Sequence, residues 1–136
     1  SRSATTWSIG DLSSWDTSKV TNMSSMFEYA GYSAATFSLG NLSSWDTSKV
    51  KNMGSMFYNA GYSATTFSLN LSSWNTSNVM YMNNMFTFAG TSATTWSVTI
   101  PQTNGNNINN ATNRIYGQTT STNTTPPSGR SFTLAQ

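Results

Sequence analysis

Neither cysteine nor histidine occurs among the 136 residues. Without thiols there is no disulfide framework and no thiolate nucleophile, and the redox compartment stays open. Without imidazole the Ser-His-Asp and Cys-His relays are excluded, and the commonest metal ligands go with them. Charge is scarce as well, at 7% of residues with a formal net charge of +2. The bases Arg2, Lys19, Lys49, Lys51, Arg114 and Arg130 lie too far apart for a phosphate-tracking stripe, which argues against nucleic acid as a partner. No apolar run approaches the roughly 18 residues of a spanning helix, so no membrane span is expected. Solubility must then come from Ser, Thr, Asn and Gln, a surface common outside cells. The length suits one domain with a continuous core.

What the chain does have is repetition. The stretch Leu42 to Ala60 has a near-identical copy at Leu12 to Ala30 and a looser one at Leu71 to Ala89. Trp15, Trp45 and Trp74 set the period, 45 − 15 = 30 and 74 − 45 = 29. A fixed period in this range marks a stacked array whose units bury apolar faces against their neighbours. The opening residues up to Trp7 match Thr91 to Trp96 in mid-repeat and do not read as an export signal, so a C-terminal part of a longer protein is expected.

Within each unit two patterns alternate. Trp7-Ser8-Ile9, Phe37-Ser38-Leu39, Phe67-Ser68-Leu69 and Trp96-Ser97-Val98 show the period-2 alternation of a half-buried strand. Val20, Met23, Met26, Phe27 and Ala30 follow at helical spacing, with Asp16-Thr17-Ser18 as capping residues and Gly31 as the helix stop. The same pattern recurs from Val50 to Gly61 and from Val79 to Gly90. These features predict an α/β fold: a right-handed, leucine-rich-repeat-like solenoid with one parallel sheet and helices on the opposite side. Residues 1–100 would hold three strand-helix repeats of 29–30 residues plus the next strand. Residues 101–136 would form a degenerate capping repeat, with a helix around Ile108 to Ile115, a loop at Gln118 to Ser128 and a closing strand Phe132-Thr133-Leu134.

The motif Leu42-Ser-Ser-Trp-Asp-Thr-Ser-x-Val-x-Asn-Met-x-x-Met-Phe resembles the repeat of BspA-type leucine-rich-repeat surface proteins of bacteria. The resemblance covers Ser1 to Gly90 and, through the decayed copy, the tail; the inserts such as Gly61 to Thr66 make the units longer than usual. It implies a secreted or surface-displayed protein that binds protein or carbohydrate on a host or neighbouring cell. It supplies no catalytic residues.

The candidate ligand face lies on the outward strand positions Thr6 and Ser8, Thr36 and Ser38, Thr66 and Ser68, Thr95 and Ser97, continued by Ser131 and Thr133. Stacked in parallel they would make two uncharged hydroxyl ladders. These could recognise protein or carbohydrate or order water, or could simply be residues that suit an exposed strand. Five strands about 4.8 Å apart give a sheet roughly 19 Å wide. A stable protein interface needs about 800 Å² per side, so further repeats or neighbouring chains would have to enlarge the face. Asp16 and Asp46, about 5 Å apart if the units stack, could form an acid/base or calcium pair, or could be two helix caps; Asn75 in the third repeat favours caps. The Met and Phe stripe reads as core, the three repeat Trp residues as buried ridges, and Tyr29, Tyr32, Tyr58, Tyr62 and Tyr81 as partly exposed. No enzyme, cofactor or metal is expected. Trp7 and Ile9 leave an open N-terminal edge, to be covered by upstream repeats or, alternatively, by end-to-end self-association into a spacer or filament.

Overall fold

Alternating aromatic and hydroxyl residues produce strands that bury every second side chain, and the strands are short. A computed structural model describes residues 5–100 and the backbone of 132–134. It contains β1 (Thr6–Ser8), β2 (Thr36–Ser38), β3 (Thr66–Asn70), β4 (Thr95–Ile100) and β5 (Phe132–Leu134). All pairings are parallel: β1 with β2, and β3 with β4 with β5. Within residues 5–100 each coil therefore lies on the next one, related by one repeat.

The strands divide into two sheets for a reason visible in the repeat lengths. The two 30-residue coils place an extra glycine after the strand, Gly10 at φ 78° and Gly40 at φ 69°. A side chain on Gly40 would collide with the carbonyl oxygen of Gly10, so the two turns nest only with glycine at position 40. The third coil has no such residue between Leu69 and Leu71, and β3 runs on through Asn70. The short β1–β2 ribbon thus gives way to the longer β3–β4 ladder. At the junction, the Thr65 N–H still donates to the Ala35 carbonyl at 3.1 Å.

The three helices expected within residues 5–100 do not exist. Among the described residues there is no helix, and the α/β solenoid with helices opposite the sheet is wrong. Residues 23–32 instead form overlapping i→i+3 turns: Met26 N–H to Met23 O, Glu28 to Ser25, Ala30 to Phe27 and Tyr32 to Tyr29. The alternate amides point out of the turns and donate to the next coil, Met23 to Asn52 O, Ser25 to Gly54 O, Phe27 to Met56 O and Tyr29 to Tyr58 O, at 2.8–2.9 Å. The second coil repeats this toward the third through Met53, Ser55, Phe57 and Asn59. Ser25, Tyr29 and Gly31 have φ of 57°, 60° and 60°, the positive value at the third turn position that a type II turn requires and a right-handed helix forbids. Ser55, Asn59 and Gly61, then Asn84, Phe88 and Gly90, repeat it.

Why this segment prefers turns follows from its polar residues. Asn22, Ser24, Ser25, Asn52 and Ser55 compete for backbone groups and are poor in helix interiors. Asn22 and Asn52 accept the amides of Ser24 and Gly54 at 2.9 and 2.8 Å, and both lie on parallel bridges that run Asn22–Asn52–Tyr81. A helix would also spend every amide within one unit, whereas the turns leave half of them for the neighbour.

The core is a set of columns running along the stack. Phe27, Phe57 and Phe86 stack at 5.5 and 5.2 Å, Trp45 and Trp74 at 6.2 Å, and Trp7, Phe37, Phe67 and Trp96 at 5.2–6.1 Å. Val50, Met53, Met56, Phe57, Met82 and Met85 are buried among them. Apart from the exposed Met26, the Met and Phe stripe is core, as expected, although no helix carries it.

One polar column lies inside. Thr17, Thr47 and Thr76 are buried. The Thr47 hydroxyl donates to the Asn75 carbonyl at 3.1 Å and accepts the Asn75 N–H at 2.9 Å; Thr17 does the same to Asp46 at 3.2 and 2.9 Å. Thr47→Val keeps the shape but strands an amide and a carbonyl, so it is expected to destabilise by about 1–3 kcal/mol in urea titration, while Thr47→Ser loses much less. Equal losses for both would show that the hydroxyl does not link the coils.

Candidate binding face

The strand pairing brings the hydroxyl candidates together in two blocks. Thr6 faces Thr36 and Ser8 faces Ser38 in β1–β2; Thr66 faces Thr95 and Ser68 faces Ser97 in β3–β4. All eight are exposed, while Phe37, Phe67, Leu69 and Val98 beneath them are buried. Between the blocks the ladder steps across the break left by Gly40. Its far end differs from expectation: β5 is displaced by two residues, so Thr133 pairs with Thr99 instead of Ser97. Ser131, like the cap helix and loop expected in 101–131, lies outside the described residues.

A shallow concavity of about 340 Å³ lies beside the first block, lined by Ser8, Gly10, Asp11, Ser13, Ser38, Gly40 and Asn41. Sequence reasoning left this concavity out, although Asp11, Asn41 and Asn70 stand at matching repeat positions. Their side chains accept the amides of Ser13, Ser43 and Ser72 at 2.9, 2.9 and 3.1 Å, closing a tight turn in each coil. The rim of the face is therefore as repetitive as its ladder, and Asp11 supplies its one negative charge.

The Asp16 and Asp46 carboxylates are both hydrogen-bonded within their own coils. Each is committed to its own turn: the Ser18 hydroxyl and N–H donate to Asp16 at 2.6 and 3.0 Å, and those of Ser48 to Asp46 at 2.6 and 3.0 Å. Asn75 holds Ser77 the same way at 2.7 and 3.0 Å. They cap turns, since the helices they were expected to cap are absent. Among the described residues no group of three acidic side chains could hold a metal ion.

These bonds lower the Asp16 and Asp46 pKa values below 3.8, the Ser hydroxyl contributing most and the backbone amide next; mutual repulsion opposes this at Asp16 and Lys49 assists at Asp46. Asp11 is lowered by the hydroxyl and amide of Ser13. Folding thus favours the carboxylates, and their stabilisation is present above the ordinary value and lost as pH falls through the lowered one. Thermal midpoints should hold down to about pH 4 and decline below it. Asp16→Asn with Asp46→Asn should keep the turns, as Asn75 does, and flatten that decline. An unchanged acid slope in the double variant would refute this assignment.

The tyrosines form an exposed edge. Tyr32 stacks on Tyr62 at 4.8 Å, and Tyr29 joins Tyr32 to Tyr58 at 5.7 and 5.8 Å. Tyr29 and Tyr81 are more than half exposed, as is Phe88, which the repeat pattern did not single out. Of the repeat tryptophans, Trp45 and Trp74 are buried, each indole N–H donating to the preceding coil at Leu12 O and Leu42 O, both at 3.0 Å. Trp15 breaks the expectation at 49% exposed.

Parallel coils joined by backbone bonds, with an uncharged hydroxyl face, define a class of strand-and-turn repeat protein. The chain belongs to the family described as Mycoplasma protein of unknown function, DUF285, which it matches over residues 2–125. No curated protein matches it, and no solved structure does. No helix among the described residues is long and apolar enough to cross a membrane.

Proposed function

We propose that this chain is a non-catalytic binding module, secreted or displayed at a cell surface, that takes protein or carbohydrate on its hydroxyl face. The observation that carries the reading is the repetition of exposed Thr and Ser pairs, Thr6/Thr36, Ser8/Ser38, Thr66/Thr95 and Ser68/Ser97, on a parallel stack. Rungs about 4.8 Å apart, with hydroxyls roughly 6.6 Å apart along each strand, form an array of donors and acceptors spaced for several hydroxyls of an extended ligand. The sparse charge and the resemblance to BspA-type surface proteins point the same way. A structural spacer or head-to-tail filament subunit is the second reading, favoured by the exposed Trp15, Met26 and Ile9 at one end of the stack.

The test is a glycan array and a panel of immobilised extracellular proteins, probed with the chain and with Thr36→Lys, Thr66→Asp, Thr95→Lys. Alternating signs limit repulsion within the ladder, and tryptophan fluorescence verifies the fold. Retention by the parent and its loss in the triple variant support the reading. Equal retention by both, or none by the parent, favours the spacer.

A further inference from the structure

In the first coil part of the inward set is uncovered, while Leu12, Met23 and Phe27 stay buried. Trp15 is 49% exposed where Trp45 and Trp74 are 3%, Met26 is 38% where Met56 and Met85 are 0 and 1%, and Ile9 is 40% where Leu39 is 3%. With Val20 and Met23, Trp15 and Met26 line a concavity of about 520 Å³.

What covers the equivalent side chains elsewhere is the preceding coil, and the polar groups of this face are set out to receive one. The carbonyls of Asn52, Gly54, Met56 and Tyr58 accept four amides from the coil before. Their counterparts in the first coil, Asn22, Ser24, Met26 and Glu28, accept none from any described residue. Likewise Gly61 and Ser63 donate backward to Ala30 O and Tyr32 O, and the Trp45 indole to Leu12 O, whereas Gly31, Ser33 and Trp15 have no such acceptor among the described residues. The path of the chain into this coil fits too. β1 is reached through Thr5, the counterpart of Ala35 and Thr65, where one coil hands over to the next.

We infer that this face is the seat of another coil of the same 29–30-residue template, preceding β1 in the same polypeptide. Four carbonyls, two amides and an indole N–H in repeat geometry match a coil and are poorly matched by an unrelated apolar surface. A second copy of the chain is a weaker occupant: the amide rows of its first two coils are already bonded within it, and Met82 and Phe86 of the third are not free. A coil seated here is independent of whether the hydroxyl face binds a ligand.

The chain is labelled with 5-fluorotryptophan, and the Trp15 fluorine resonance is assigned with Trp15→Phe. Its solvent isotope shift is compared with that in a chain extended by a copy of residues 31–60 placed before Ser1, with Ser1→Gly to match the glycine at Gly31 and Gly61. In the original chain Trp15 should show a large shift at every protein concentration. In the extended chain the shift should fall to that of Trp45 and Trp74, with a higher thermal midpoint. Should the one-coil extension not fold, a copy of residues 1–60 placed ahead serves as the deciding protein. Persistent exposure of Trp15 in the folded extension, failure of both extensions to protect it, or concentration-dependent protection in the original chain would each overturn the proposal, the last by naming a second copy as occupant.

Discussion

Phe57→Ala is expected to remove about 3–5 kcal/mol of stability, measured as the change in unfolding free energy in urea. Phe57 is fully buried, with Phe27 at 5.5 Å on one side and Phe86 at 5.2 Å on the other. Its loss opens a cavity in the middle of the column and removes two ring contacts together. Because each coil touches only its neighbours, the damage falls on both coil interfaces and should lower cooperativity as well as the midpoint. A loss under about 1 kcal/mol would show that the aromatic column is not what binds the coils together.

The second large effect is expected at Gly90. Its φ is +60°, and a Cβ there would lie 2.5 and 2.6 Å from Cβ and Cγ of Phe67 and 2.8 Å from Cδ1 of Trp96. Gly90→Ala combines about 1–2 kcal/mol for a left-handed alanine with about 1–3 kcal/mol of overpacking, some 2–5 kcal/mol in all. Gly10 separates the two costs. It has φ +78°, and a Cβ there would meet nothing within 4 Å, so Gly10→Ala should bear only the conformational cost. Similar losses at Gly90 and Gly10 would mean that the glycines serve backbone conformation alone, without making room for the ring column.

The residues that show these effects also mark how far sequence reasoning reached. The tryptophan period, the half-buried strands and the burial of Met53, Met56, Phe57 and Ala60 were all legible, because burial leaves a pattern of apolar spacing. The backbone partner was not. Spacings of three and four residues suit one face of a helix, and they suit equally a run of turns that overlap every two residues. The deciding facts are the positive φ angles at Ser55, Asn59 and Gly61, and of these only the glycine carries an obvious sequence signal. Asn59 and Asn84 were weaker signals, since asparagine tolerates the left-handed region better than most residues. The expectation of one parallel sheet missed the break between β2 and β3, although Gly40 has no counterpart in the third repeat. For the candidate face, the pairing of Thr6 with Thr36 and of Thr66 with Thr95 followed from the repeat itself. The shift of β5 did not, because residues 101–131 no longer keep the motif that sets the register.

The measurement that bears most directly on the inter-coil bonding is an NMR correlation through hydrogen bonds, from amide nitrogen to the carbonyl carbon that accepts it. Between stacked turns, the Phe57 amide couples to the Met85 carbonyl and the Phe27 amide to that of Met56, matching the 2.8 Å bonds at both places. In a helix the Phe57 amide would couple to the Met53 carbonyl, four residues back. A cross-peak from Phe57 to Met85 is the expected result, and one from Phe57 to Met53 would contradict it.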